Sequence, residues 1–85
     1  MTVADNRERK RFELVVDGQT AFLAYHRTPG VLTLIHTEVP ESLRGHQLGD
    51  VLVKAALDAA RAEGVRVNPL CPFVKAYLRK HPDAA

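Results

Sequence analysis

From Phe12 onward the chain alternates, with Phe12, Leu14 and Val16 set between Glu13, Val15 and Asp17. That period of two predicts a strand with one buried face. Asp17-Gly18-Gln19 supplies turn chemistry, and a second alternating run, Thr20–His26, completes a hairpin. Arg27-Thr28-Pro29-Gly30 is another turn, and Val31–Val39, rich in β-branched residues, predicts a third antiparallel strand that Pro40 ends. Its alternation puts Leu32, Leu34, His36 and Glu38 on one face and Val31, Thr33, Ile35, Thr37 and Val39 on the other. The period then changes. Leu48, Val51, Leu52, Ala55, Ala56, Ala59 and Ala62 form a helical stripe over Leu48–Glu63, with Asp50, Lys54, Asp58 and Arg61 opposite and Asp50–Lys54 and Asp58–Arg61 as surface pairs. Gly64 stops that helix, Val65–Asn68 reads as a short strand, and Pro72 suits the first position of a second helix. This helix runs to about Lys80, with Cys71 as its N-cap and His81-Pro82 as its terminator. Met1–Lys10 has no apolar period and is expected to be a flexible charged arm. The order β-β-β-α-β-α predicts an α+β domain over residues 11–85, with a mostly antiparallel sheet and one parallel pair at the crossover helix.

At 85 residues there is room for one small domain. The net charge of +2 narrows the choice of partners. Residues 1–11 hold four basic groups against two acidic ones, whereas residues 12–85 hold eight of each, so the excess sits in the arm. A balanced body with no Trp lacks the basic stripe and stacking platforms of phosphate-dominated nucleic-acid binding, and nucleic acid is not an expected partner. No apolar run approaches the ~18 residues of a membrane span, and the charged N-terminus is not followed by an apolar export segment. The expectation is a cytoplasmic protein without a membrane partner. One cysteine can form neither an internal disulfide nor a zinc site by itself, and His26, His46 and His81 show no metal-ligand spacing. No metal is expected.

Two loops carry candidate chemistry. The first, Leu43-Arg44-Gly45-His46-Gln47-Leu48-Gly49, leads from a strand into a helix N-terminus, where backbone N–H groups and the helix dipole meet phosphate. Gly49 within the first helical turn costs about 1 kcal/mol relative to Ala, so close approach of a ligand or of packed chain is expected there. The same glycines also suit a plain tight turn with Arg44 in solvent. In the second loop, Pro69 and Pro72 stiffen the chain around Cys71. A thiol capping a helix is favoured as thiolate, but a lone cysteine is equally at home as a small buried hydrophobe. Tyr77, six residues on, is a candidate proton donor or simply core packing. His36 and Glu38, about 7 Å apart on one strand face, are candidates for a general base; otherwise they are a locally bonded histidine and a marginal carboxylate.

Taken together, these segments resemble a known family. His36-Thr37-Glu38-Val39-Pro40-Glu41, Leu43–Gly49, Leu52–Arg61, Pro69-Leu70-Cys71-Pro72-Phe73-Val74-Lys75-Ala76-Tyr77 and His81-Pro82 are similar, in order, to the short GNAT-like N-acetyltransferase domains, a minimal acetyl-CoA-dependent GNAT fold. The resemblance covers residues 12–83 and rests most on Pro-Leu-Cys-Pro-Phe and His-Thr-Glu-Val-Pro. It implies an N-acetyltransferase that binds acetyl-CoA or coenzyme A between the third strand and the Val65–Asn68 strand. Pantetheine would lie along Thr37, Glu38 and Val39, and pyrophosphate over Arg44, Gly45, His46, Gln47, Leu48 and Gly49. It further implies that Cys71 faces the thioester end, giving covalent or acid-base assistance. The acceptor would be an amine of unknown identity, such as a protein lysine or N-terminus, and the protein a monomer or weak homodimer. The rival readings are a non-catalytic CoA-binding module and an interaction domain without a ligand. One position departs from the superfamily pattern Arg/Gln-x-x-Gly-x-Gly/Ala, because Gln47 stands where the first glycine is expected. A left-handed backbone there would strain the loop by about 1–2 kcal/mol, whereas a helical one would cost little.

Overall fold

The computed structural model describes residues 2–84 and contains five strands and two helices. The strands are β1 (Ala4–Asn6), β2 (Arg11–Val16), β3 (Gln19–Thr28), β4 (Val31–Glu38) and β5 (Arg66–Pro69). The helices are α1 (Leu48–Glu63) and α2 (Pro72–Lys80), with short 3-10 turns at Glu41–Leu43 and Pro82–Ala84. One sheet runs in the order β1-β2-β3-β4-β5. Neighbours are antiparallel except β4 and β5, which are parallel and joined through α1. The α+β sheet with its single parallel crossover pair is therefore the expected one, with an extra strand at its start.

That extra strand corrects the expectation of a flexible arm over residues 1–10. Ala4–Asn6 pairs with Glu13, Phe12 and Arg11. Asp5 accepts hydrogen bonds from the Tyr25 hydroxyl and, at 2.9 Å, from Arg27. A polar segment of low apolar content is held by strand pairing and ion pairs, neither of which leaves a hydrophobic period to read. Positions 1 and 85, the outer limits of the expected arm and domain, lie outside the described residues.

The core lies on one side of the sheet. Phe12 and Leu14 of β2, Ala21, Leu23 and Tyr25 of β3, and Leu32 and Leu34 of β4 are buried against Leu48, Leu52, Val53, Ala56, Leu57 and Ala60 of α1 and Val74 of α2. The buried stripe of α1 is rotated from the expected one: Gly49, Val53, Leu57 and Ala60 are inside, while Val51, Ala55 and Ala59 are at the margin and Ala62 is exposed. Alanines mark a stripe weakly because they lose little by exposure, so the bulk of Leu52, Val53 and Leu57 sets the helix rotation. On the outer face Lys54 pairs with Asp58 at 3.1 Å, rather than with Asp50, and Arg61 pairs with Asp58 at 3.3 Å.

A second correction positions the site. Tyr25 is opposite Leu34 but Ala24 is opposite His36, so Ile35 is an unpaired extra residue in β4. Such a bulge reverses the in/out alternation beyond it. Thr37, opposite buried Leu23, turns to the helix-covered face. His36 and Glu38, expected with Leu32 and Leu34, are on the uncovered face opposite Ala24 and Phe22.

Candidate active site

The pairing of β4 with β5 ends at Leu34 opposite Pro69. Beyond it the Leu34 carbonyl accepts from both Leu70 N–H and Cys71 N–H, each at 3.0 Å, and the chain turns into α2. The bulge at Ile35 interrupts β4 just past the same point. The two strands part, and residues 36–38 keep β3 as a partner but no longer have β5. The opening leads into a cleft of about 470 Å³ lined by Thr37, Val39, Leu43, Arg44, Gly45, Gln47, Leu48, Gly49, Asp50 and Phe73.

At one end of this cleft the chain enters α1 through two left-handed residues, Gly45 (φ 89°) and Gln47 (φ 59°). Gln47 is the N-cap, yet its side chain caps nothing. The Val51 N–H is the first in α1 to reach back to a carbonyl, that of Gln47 at 3.2 Å. The N–H groups of Leu48, Gly49 and Asp50 precede it and have no intrahelical acceptor, so the positive end of α1 is free for an anion. Arg44 adds a fixed charge, since its Nε–H donates to the Val39 carbonyl at 3.3 Å and holds the guanidinium beside the cleft. The 3-10 turn before it is tied to the β2–β3 hairpin by reciprocal bonds between Gln19 and Ser42 at 2.7 and 3.0 Å. Uncapped amides, an arginine and an apolar wall suit a phosphate-bearing ligand with a narrow arm. Gly49 has a packing reason as well: a Cβ there would fall 2.6 Å from Cζ of Phe73.

Cys71 is not among the residues that line the cleft and sits behind Thr37. It is the N-cap of α2 with extended backbone, makes no formal capping bond, and is only 3% exposed. Its Sγ is 3.4 Å from the Thr37 hydroxyl. Burial pushes the thiol up, but the Thr37 hydroxyl and the backbone N–H dipoles of Val74, Phe73 and Thr37 outweigh it and hold its pKa below the ordinary 9.0.

Residues 11–85 match the family model described as GCN5-related N-acetyl-transferase. The chain belongs to that family. Its relatives include the NATD1 proteins of Mus musculus and Gallus gallus, each 31% identical over 83 residues, covering 94% of this chain and 76% of theirs. The Danio rerio NATD1 protein is 28% identical over 85 residues, covering 96% of this chain and 77% of its own.

For a GCN5-related N-acetyl-transferase, the minimal GNAT sheet and helices are as expected, and the cleft lies where β4 and β5 part. The expected site residues divide into five places. Thr37, Val39, Arg44, Gly45, Gln47, Leu48 and Gly49 line the cleft, whereas His46 is exposed and absent from the lining. Cys71 lies behind Thr37. His36 and Glu38 are joined at 2.9 Å between Nε2 and Oε2, but on the far face, each with 59% of its side chain exposed. The His36 ring stands edge to face with Phe22 at 6.3 Å. Tyr77 stacks on His81 at 4.5 Å, about 9 Å along α2 from Cys71 by helical rise, and packs against the core margin. Sequence reasoning missed Leu43, Asp50 and Phe73. The usable signal was the pairing of a costly helical glycine with an aromatic beside Pro72. Among the described residues no helix is long and apolar enough to cross a membrane, and no three acidic, histidine or cysteine side chains group for a metal.

Proposed function

We propose that the chain binds acetyl-CoA in the cleft and transfers the acetyl group to an amine. The observation that carries this reading is the parting of β4 and β5 beside the uncapped start of α1. In this reading the backbone of Thr37, Glu38 and Val39 bonds the amides of the pantetheine arm. Arg44 and the N–H groups of Gly45, Leu48, Gly49 and Asp50 hold the pyrophosphate. When bound, acetyl-CoA supplies a thioester as acyl donor. A β4 N–H donates to the carbonyl oxygen, where charge develops as the amine attacks. Cys71, in contact with the Thr37 hydroxyl of the cleft wall, gives its proton to the sulfur released as the C–S bond breaks, and its near-complete burial favours this role over carrying the acetyl group. The amine arrives from the uncovered sheet face, bonds to the carbonyl carbon, and loses its surplus proton to the His36–Glu38 pair. Tyr77, stacked on His81, orders the end of α2 in this scheme. The acceptor in this reading is an amine carried on a protein, a lysine or an N-terminus, met by a cytoplasmic monomer or weak homodimer.

The test is coenzyme A release by purified protein across a panel of amines and peptides, with Cys71→Ser alongside. Turnover in the wild type, slowed in Cys71→Ser without a Cys71 adduct by intact mass, is expected. An acetylated Cys71 would replace the acid role with a covalent one. The burial of Cys71 at 3% exposure also favours a second reading, a CoA-binding module in which the thiol is packing. Binding without turnover by any amine would establish that instead.

A further inference from the structure

Resting on the acetyl-CoA reading, the last unexplained feature of the cleft is its outer wall. Phe73 is a large apolar side chain left 42% exposed in the first turn of α2. It reaches across to the first turn of α1, where an added Gly49 Cβ would meet ring atoms Cζ, Cε1 and Cε2 at 2.6, 2.9 and 3.2 Å. Only the missing Cβ lets the tip of the ring rest there. The ring thereby joins the two helix starts and lines the cleft with Thr37 and Val39 of the β4 end.

We infer that Phe73 is the specificity-determining wall for the pantetheine arm of the acyl donor, and that Gly49 is the positioning residue that seats it. A narrow chain between the ring and the β4 edge covers apolar surface that is otherwise wet, and an aromatic ring offers much such surface at low entropy cost. A nucleotide without the arm places its phosphates on the amide turn and lacks the chain that would lie along the exposed face of the ring. The cleft therefore selects for pantetheine thioesters over the phosphorylated nucleotide they share.

Calorimetry with acetyl-CoA and with 3′-phospho-ADP, which lacks the arm, tests this. Phe73→Ala should raise the Kd of acetyl-CoA at least about tenfold, equivalent to about 1.4 kcal/mol, and leave that of 3′-phospho-ADP within about twofold. Phe73→Leu should recover most of the loss. Gly49→Ala, which displaces the ring, should weaken acetyl-CoA in the wild-type background and add nothing in Phe73→Ala. Equal losses for both ligands, tighter acetyl-CoA binding in Phe73→Ala, or Gly49→Ala and Phe73→Ala effects that multiply would overturn the wall. Should Phe73→Ala melt below the assay temperature, Phe73→Leu and Gly49→Ala carry the same comparison. A wild type that binds neither ligand would overturn the acetyl-CoA reading itself, and the wall with it. Normal wild-type binding with an indifferent Phe73→Ala would overturn the wall alone.

Discussion

Gln47 adopts φ 59° and ψ 27° at the start of α1, the left-handed alternative for the missing glycine. An L-residue with a Cβ is disfavoured there by about 1–2 kcal/mol, while glycine costs the unfolded chain about 0.5–1 kcal/mol more entropy. The difference decides the sign, so Gln47→Gly should stabilise the fold by about 0.5–1 kcal/mol, read by urea unfolding. It should also tighten acetyl-CoA by leaving the turn bare; looser binding would mean that the Gln47 amide donates to the ligand. Thr37 gives a second single-residue case. Against the upward push of burial, its hydroxyl does the most to lower the Cys71 pKa, so Thr37→Val should move the thiolate titration, followed by ultraviolet absorbance, upward. The linkage has a definite sign. A folded-state thiol pKa below the unfolded 9.0 contributes stability at high pH that is lost as pH falls through the folded value, and Thr37→Val should shrink that alkaline contribution.

At the scale of elements, Arg27 near the end of β3 ties β1 to α1. Its guanidinium donates to Asp5 at 2.9 Å and to both Glu63 oxygens at 3.1 and 2.7 Å, and it stacks over Tyr25 at 4.5 Å. Part-exposed pairs are worth about 1 kcal/mol at most, so Arg27→Met should cost about that much and should expose the β1 amides to hydrogen exchange. The Arg27 bonds hold the Glu63 carboxyl below its ordinary 4.5 against a smaller opposing effect of burial. Its contribution is therefore present above pH 4.5 and lost as pH falls through the folded-state value, so Glu63→Gln should flatten the acid fall in melting temperature. These long-range pairs explain why β1 was illegible: nothing within Met1–Lys10 announces partners 20 residues and more away. The bulge was illegible for a related reason. Leu32, Leu34, His36 and Glu38 alternate without a break, and an extra residue is visible only against β3. By contrast the β2–β3 hairpin, the bounds of α1 and the Pro72 start of α2 rest on local turn and capping chemistry, and all three were readable.

For the whole molecule, the legible part was the topology, because a strand, crossover helix and returning strand admit one common handed arrangement. That the Arg44–Gly49 turn leads into the start of α1 was legible in its glycines, but the split of His36 and Glu38 from Cys71 depended on the bulge. Phe73 as the cleft's wall depended on α2 meeting α1. The cleft also leaves a thermodynamic signature. A domain of this size is held by only about 4–13 kcal/mol, and the free α1 amides are part of what a ligand would satisfy. Acetyl-CoA at about 100 times its Kd should add about 2.7 kcal/mol and raise the melting temperature by roughly 10–20 °C. Asp50 lines the same cleft, which brings its negative charge near any phosphate placed on the turn. Removing that charge should tighten binding, so Asp50→Asn should show a larger rise than the wild type at equal acetyl-CoA, most visibly at low salt where the repulsion is least screened. A melting temperature unmoved by millimolar acetyl-CoA would remove the ligand from the reading. A normal rise in the wild type that Asp50→Asn leaves unchanged would instead put the phosphates elsewhere than on the α1 amides.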